Sequence, residues 1–333
     1  MSSKCFAGID VSMNTLDMAF STGDEVVRVA NNGTGINRLL RLFKKTPPAL
    51  VLFEATGKYH RRLAQGLQDA GQPFVIANPR RVHRYADTLG QSAKSDPIDA
   101  VVCAAYAASR EHTPTRLPDR ETLELADLVV RHVQLTEFRT AERNRLQQAH
   151  AIAGSHERFL TSIAEAIERN DEEIRQRIAA RPEWAEMSAL YRSVPGVGAV
   201  TTAVLIAHLP ELGTVDRRTI AALVGVAPII ADSGKTVGPA RILGGRMIVR
   251  NALFMAATTA VRMEGTPFHT AFERLEASHK PYKVALTAIM RKMLLALNGI
   301  ARSRQPYNAA LLEPAAPAAP LKLAAQRVPK RKR

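Results

Sequence analysis

The sequence predicts a mixed α/β domain followed by two mostly helical segments and a basic tail. Three apolar runs near the N-terminus have strand character, and helix and strand patterns then alternate up to residue 109. Strand character is lost between residues 119 and 190, where the apolar residues take helical spacing. With 333 residues, the chain exceeds what one hydrophobic core usually supports, so we expect more than one domain.

The N-terminal elements follow from these patterns in order. Strand 49–53 (ALVLF) is apolar throughout, as expected for a strand that is buried on both faces. Strands are predicted at 5–9, 15–21, 25–30, 49–53 and 73–77, and helices at 35–44, at 58–70, from Pro79 and at 96–109. This order is typical of the ribonuclease-H-like fold and is also compatible with the actin-like ATPase fold.

The next segment predicts a helical hairpin or a coiled coil. Four isoleucines are spaced four, seven and four residues apart, which is a heptad seam. They are Ile163, Ile167, Ile174 and Ile178. Gly154-Ser155 is the expected break between two long helices. The seam serves either self-association or the packing of two helices within one chain.

The segment from residue 191 to 302 predicts a compact, mostly helical unit. Pro195-Gly196-Val197-Gly198 lies between two helical patterns and is similar to the turn of a helix-hairpin-helix element. Backbone N–H groups at such a helix start can hold a DNA phosphate, which makes Gly196 and Gly198 candidate nucleic-acid-binding residues. An ordinary tight turn explains the same residues.

Charge and composition narrow the class of protein. The net charge is +15, which favours a polyanionic partner such as nucleic acid. Segment 217–302 carries a net +9 and segment 303–333 a net +6, whereas segment 120–192 carries a net −2. The Ala/Pro-rich tail that ends in KRKR predicts a disordered basic arm that contacts nucleic acid or keeps the protein in solution.

Several classes are disfavoured by what the sequence lacks. No run of eighteen apolar residues is present, so no membrane span is expected. The N-terminus has no signal-like apolar core. Two cysteines, Cys5 and Cys103, exclude a disulfide scaffold and a cysteine-only metal site, and they fit a reducing cytoplasm.

Four acidic residues form the first candidate site. Asp10 and Glu54 end the first and the buried strand, so both carboxylates emerge at one sheet edge if these strands are neighbours. Asp96 and Asp99 are three apart at a helix start and share one helical face. Converging carboxylates suit Mg²⁺ or Mn²⁺, and two such ions support phosphoryl transfer. Taken singly, Asp10, Glu54 and Asp96 are better explained as a turn residue, a solvated edge and a helix cap, and it is their combination that favours a metal site.

The second candidate lies in the Gly-rich stretch 225–250. Ser233 is followed by Lys235, Arg241, Arg246 and Arg250, so a hydroxyl on a loop is surrounded by cations that can contact a phosphate. A serine in such a place can act as a nucleophile when a base or metal activates it. The residues themselves favour a simpler interpretation, in which Ser233 belongs to a turn and the cations bind phosphates.

The motifs together resemble one known family, the DEDD-type transposases of insertion-sequence family one-ten, which are described as bridge-RNA-guided recombinases. The resemblance covers about residues 5–302. Its motifs are GID (8–10), EATG (54–57), ANP (77–79), KSDPIDA (94–100), VVRH (129–132), VPGVG (194–198), GVAP (225–228), DSGK (232–235), GGR (244–246) and RNALFMAA (250–257).

This resemblance implies an activity and its partners. It implies a RuvC-like N-terminal domain in which Asp10, Glu54, Asp96 and Asp99 bind Mg²⁺, a coiled-coil segment, and a C-terminal transposase domain. Ser233 would then attack a DNA phosphate and form a phosphoserine link, in a site shared between subunits of a dimer or tetramer. It also implies a noncoding guide RNA that selects donor and target DNA, in the bacterial cytoplasm at the nucleoid.

The resulting domain prediction has four parts. These are a RuvC-like domain at 1–112, a helical coiled-coil segment at 113–190, a transposase domain at 191–302 and a disordered basic tail at 303–333. Three other functions stay open: a RuvC-like nuclease that uses water as its nucleophile, a non-catalytic nucleic-acid scaffold, and an actin-like ATPase. The last needs a phosphate loop, for which Val11-Ser12-Met13-Asn14 is a poor candidate.

Overall fold

A computed structural model describes residues 4–23, 25–90, 96–148, 151–229 and 241–311. The chain divides between Pro118 and Asp119 into two compact units. Ser233, Lys235 and the predicted tail beyond residue 311 lie outside the described residues, as does the side chain of Asp96. The finer four-part division stays a prediction.

The N-terminal unit is built on one mixed sheet of five strands in the order β3-β2-β1-β4-β5. Strands β1 to β3 pair antiparallel, whereas β1, β4 and β5 run parallel. The elements are β1 (Phe6–Val11), β2 (Thr15–Phe20), β3 (Val26–Ala30), α1 (Gly33–Lys45), β4 (Leu50–Glu54), α2 (Arg61–Asp69), β5 (Phe74–Ala77), α3 (Pro79–Thr88) and α4 (Asp96–Ser109). The predicted mixed sheet is confirmed, and it is consistent with a ribonuclease-H-like fold.

Alternation along the strands gives the sheet two apolar faces. Ile9 and Phe53 point to the face that packs against α1 and α2. Leu52 points to the other face, where it packs with Val82 of α3 and Cys103 of α4. Because the inner strands are covered on both sides, strand β4 is continuously apolar, as its sequence predicts.

The C-terminal unit is mostly helical, as predicted, and adds one two-stranded ribbon. Helices from α5 to α12 share one large apolar core. The elements are α5 (Arg120–Leu146), α6 (Ala153–Ala180), α7 (Pro182–Arg192), α8 (Ala199–His208), α9 (Arg217–Val224), β6 (Pro228–Ile229), β7 (Arg241–Ile242), α10 (Met247–Ala260), α11 (Pro267–Ala277) and α12 (Tyr282–Ser303), with a short 3₁₀ turn at Ala309–Leu311.

Helices α5 and α6 pair along their length as a hairpin within the chain. All four seam isoleucines are buried: one pair packs beside Leu135 of α5, and the other pair joins the large core. The seam is thus filled by the chain's own α5. Helix α5 ends at Leu146 and α6 begins at Ala153, so Gly154-Ser155 is not the break, since both of these residues belong to the first turn of α6.

Helix α12 is long and apolar enough to cross a membrane by length and composition. Its apolar side is accounted for differently, because Leu286, Ile289 and Leu294 are buried in the core of the C-terminal unit. A central core helix passes the same test of length and hydropathy, so this helix is weak evidence for a membrane span.

Candidate active site

Sheet register brings two of the predicted acids side by side. Ile9 and Phe53 are direct partners in the parallel pair β1–β4. Asp10 and Glu54 follow them by one residue, and adjacent strands lie about 4.8 Å apart. Both carboxylates therefore leave the same sheet edge toward the face that α4 covers, and both residues are half-buried.

Gly8 lets α4 approach this face closely. A Cβ atom at Gly8 would lie 2.1 Å from the backbone nitrogen of Ala104 and 2.3 Å from the carbonyl oxygen of Ala100. Real side chains do not tolerate such distances, so glycine is required where the helix contacts the strand. This contact packs α4, the helix that carries Asp99, over the strand that carries Asp10.

Three of the predicted acids lie near enough to Cys103 for their charges to act on its thiol. Burial raises the pKa of the Cys103 thiol well above its usual range, and the charges of Glu54, Asp10 and Asp99 raise it further. Carboxylates scattered over separate surfaces would not act together on one buried thiol. The same field keeps Cys103 protonated, so this cysteine is a poor nucleophile.

The donor set suits a hard divalent cation. Carboxylate oxygens are the ligands that Mg²⁺ and Mn²⁺ prefer in proteins, and no softer ligand has to be invoked. Among the side chains that the structure describes, no group of three or more His, Cys, Asp or Glu is arranged to hold an ion. Asp96, the fourth predicted acid, begins α4 three residues before Asp99, and its side chain lies outside that description.

Asn31 is a positioning residue that the sequence did not reveal. Its amide Nδ2 donates to the carbonyl of Ser12 at 2.8 Å and to that of Tyr59 at 3.2 Å. The side chain is buried and thereby ties the turn after β1 to the turn after β4, which are the two turns that follow Asp10 and Glu54. The sequence Asn31-Asn32-Gly33 indicates only a strand end, because both contacts are made to residues far away along the chain.

The segment that carries Ser233 is closed at its base by the β6–β7 ribbon, in which Ile229 pairs with Arg241. The backbones of two glycines are in close contact just outside the ribbon: a Cβ at Gly245 would lie 2.3 Å from the backbone nitrogen of Gly225. Both have positive φ, at 74° and 79°. The motifs GVAP and GGR are thus packed against each other.

Two of the predicted phosphate-binding arginines also form contacts next to the β6–β7 ribbon. Arg246 forms a two-pronged ion pair with Glu211, at 2.5 Å to each oxygen, and donates to the carbonyl of His208. Arg250 donates to the carbonyl of Gly244. Arg241 is exposed. A role of these arginines in binding nucleic acid stays a prediction.

The predicted hairpin turn lies between α7 and α8. Gly196 has φ +84°, and a Cβ there would lie 2.3 Å from the carbonyl of Ala256 in α10. Gly198 caps α8 through its backbone and is exposed. No acidic residue lies in the first turn of α8, and no side chain caps it, so this helix start can receive an anion.

Comparison with known proteins agrees with this geometry. A transposase model of the DEDD type matches residues 7–150, and a model described as "Transposase IS116/IS110/IS902 family" matches residues 188–273. The pilin gene-inverting proteins of Moraxella lacunata and Moraxella bovis are each 27% identical over 317 residues, which cover 92% of this chain and 98% of theirs. The chain therefore belongs to the IS110/IS116/IS902 family of transposases.

Proposed function

We propose that this transposase breaks and rejoins DNA with Ser233 as its nucleophile and with Asp10, Glu54, Asp96 and Asp99 as ligands of Mg²⁺ or Mn²⁺. The observation that carries the proposal is the sheet register that places Asp10 and Glu54 side by side on the face covered by α4, the helix that carries Asp99. The intact DSGK motif, at the same place in the chain as in the family it resembles, supports the role of Ser233.

The proposed reaction is a pair of transesterifications. The Ser233 hydroxyl oxygen forms a bond to phosphorus while a DNA oxygen leaves, and the hydroxyl proton ends on that leaving oxygen. A second DNA hydroxyl then displaces the serine in the same way, so the number of phosphodiester bonds is conserved. Bound divalent ions supply stabilisation of the charge that develops on the attacking and leaving oxygens.

The proposed substrates and partners are donor DNA, target DNA and a noncoding guide RNA. Lys235, Arg241, Arg246 and Arg250, together with Gly196 and Gly198 at the start of α8, are proposed to contact their phosphates. The net +9 of segment 217–302 supports this assignment. The names of the Moraxella relatives describe inversion of a gene, which is itself a DNA recombination.

We also propose that the chain acts in the cytoplasm as a dimer or tetramer, assembled through the hairpin of α5 and α6 as a coiled coil. Phe138 of α5 and Phe159 of α6 support the assembly, because both rings are more than half exposed to solvent. Aromatic residues are enriched in protein–protein interfaces.

The experiment that tests the mechanism combines two variants with a trap for the covalent intermediate. Ser233→Ala and Asp10→Ala are each expected to abolish recombination while the thermal unfolding midpoint stays within a few degrees of the parent. A DNA adduct that survives denaturing electrophoresis is expected with the parent protein and is expected to disappear with Ser233→Ala.

Three results would contradict parts of the proposal. DNA cleavage by the Ser233→Ala protein without an adduct would indicate a nuclease that uses water as its nucleophile. Full recombination by the Asp10→Ala protein would remove the acids from the mechanism. Tight nucleic-acid binding without any strand cleavage, unaffected by Mg²⁺, would indicate a scaffold.

A further inference from the structure

A groove in the C-terminal unit lies between α10 and α12, with one end at the β6–β7 ribbon. Its cavity volume is about 580 Å³, within the range of pockets that enclose small organic groups. Three of the apolar side chains that line it are partly open to solvent: Ile242 is 37% exposed, Phe254 39% and Val284 55%. Exposed apolar groups that share one groove indicate a binding surface.

Four of the side chains that line the groove are cationic. Arg241, Arg250, Lys283 and Arg291 line the groove, and no acidic residue of the described chain does. Arg291 is half-buried, and within the described ranges it forms neither an ion pair nor a hydrogen bond. A partly buried charge without a partner is unfavourable, so this guanidinium is complemented when an anion enters the groove.

We propose that this groove binds one unpaired nucleotide of a DNA strand, with its base against Phe254 and its flanking phosphates on Arg241, Lys283 and Arg291. A base stacks on an aromatic ring through its faces, and the phosphates on either side require cations, so the two parts of the lining match the two parts of a nucleotide. A duplex keeps its bases inside the stack and cannot fill the groove. The inference rests on the proposed function in one respect. It assigns the bound strand to DNA because the groove ends at the β6–β7 ribbon, between whose two strands Ser233, the proposed nucleophile, lies in the sequence.

Charge decides between a nucleotide and a protein segment as the occupant. An apolar helix from a second copy would cover Phe254 and Val284 but would leave several cations without anions. A strand that places an anionic phosphate on each side of one base supplies both kinds of contact. The observations therefore favour a nucleic-acid strand over a protein surface.

The first test compares neighbouring residues of α10 in full-length protein. Phe254→Ala is expected to weaken binding of a fluorescent single-stranded DNA about tenfold, the scale of one lost base–aromatic contact. Met255→Ala is the matched control, since Met255 is 62% exposed and does not line the groove. The same DNA as a blunt duplex is expected to show no difference between the two variants.

Tryptophan fluorescence distinguishes stacking of a base on residue 254 from a change in the shape of the groove. Phe254→Trp is expected to retain binding and to have its added fluorescence quenched by single-stranded DNA. Met255→Trp is expected to show no quenching. The one native tryptophan, Trp184, lies in α7 and contributes the same background to both proteins.

A second pair of variants, at two adjacent cationic residues of α12, tests whether the positive charge of the groove contributes to binding. Arg291→Gln is expected to weaken single-strand binding about fivefold at fixed salt, as a lost phosphate contact does. Lys292→Gln removes the same charge from a residue that lines a different cavity, and it is expected to leave the affinity within twofold.

Each alternative gives a distinct result. Equal affinities of Phe254→Ala and Met255→Ala for single-stranded DNA would overturn the proposal. A tenfold loss seen only with single-stranded RNA would assign the groove to RNA and overturn the assignment to DNA. Loss of self-association in sedimentation, without loss of DNA binding, would assign it to a second copy. All arms measure binding in the Ser233→Ala background, so they remain informative if Ser233 proves not to be the nucleophile.

Discussion

Gly8 sets how closely α4 approaches β1, the strand that carries Asp10. Gly8→Ala places a methyl group against backbone atoms of α4, which cannot rotate away. We expect a loss of about 1–3 kcal/mol in the free energy of unfolding, together with loss of recombination, because Asp99 moves with the helix. Urea unfolding and a recombination assay measure the two effects.

Gly33→Ala is the control for this prediction. Gly33 begins α1, and a Cβ there meets no atom within 4 Å. Alanine in a helix is favoured over glycine, so this variant is expected to be at least as stable as the parent. Equal stability of the two variants would contradict the close contact between α4 and β1.

Asn31 and Asn32 offer a second matched pair. Asn31→Asp removes the buried amide that donates to the turns after β1 and β4, so we expect a cost of about 1–3 kcal/mol and a marked fall in recombination. Asn32 accepts from the backbone of Gly35 as the N-cap of α1, and aspartate performs this role equally well. Asn32→Asp is therefore expected to behave as the parent, and a similar fall in both variants would contradict the role given to Asn31.

Helix α10 is attached to the end of α8 through the pair of Arg246 and Glu211. Burial of Glu211 acts to raise its pKa, but the hydrogen bond from Arg246, a backbone hydrogen bond and the positive charge of Arg246 together outweigh burial, and the pKa is lowered overall. A carboxyl group whose folded pKa is lowered stabilises the fold above its unfolded pKa, and this stability is lost as the pH falls through the folded pKa.

The lowered pKa of Glu211 determines how a Glu211→Gln substitution should affect stability at different pH values. Glu211→Gln lowers stability at pH 7, and the difference from the parent shrinks on acidification below about pH 4, the usual range of a glutamate. Glu276→Gln, an exposed change in α11, is expected to have no effect at either pH. Urea midpoints at pH 7 and pH 3.5 measure the difference, and a constant difference would argue against the ion pair.

The sequence predicts the individual elements well and the contacts between them less well. All five strands lie within two residues of the predicted ranges, because apolar strand patterns and turn residues are local signals. The predicted position of the helix break, Gly154-Ser155, is wrong, because both residues lie in the first turn of α6. The position of Asp10 and Glu54 at one edge of the sheet could be predicted because strand ends are visible in the sequence. The roles of Asn31 and Arg291 could not be predicted, since they depend on residues far apart along the chain.

Binding of the whole chain to nucleic acid is expected to depend steeply on salt, because each phosphate contact releases counterions. Residues 312–333 carry six cations and one acid. If the tail contacts DNA, its deletion lowers the slope of log affinity against log salt by up to about 5. A neutral tail of equal length is the control, and an unchanged slope would leave the tail only a solubilising role.

The close contact of Gly225 with Gly245 beside the β6–β7 ribbon has a practical consequence. Neither position has room for a methyl group, because a Cβ at Gly225 would lie 2.3 Å from the carbonyl oxygen of Gly244 and a Cβ at Gly245 would lie 2.3 Å from the backbone nitrogen of Gly225. Mutant libraries of this protein should therefore leave both glycines unchanged, since variants at either position are expected to be lost to misfolding before any selection for activity.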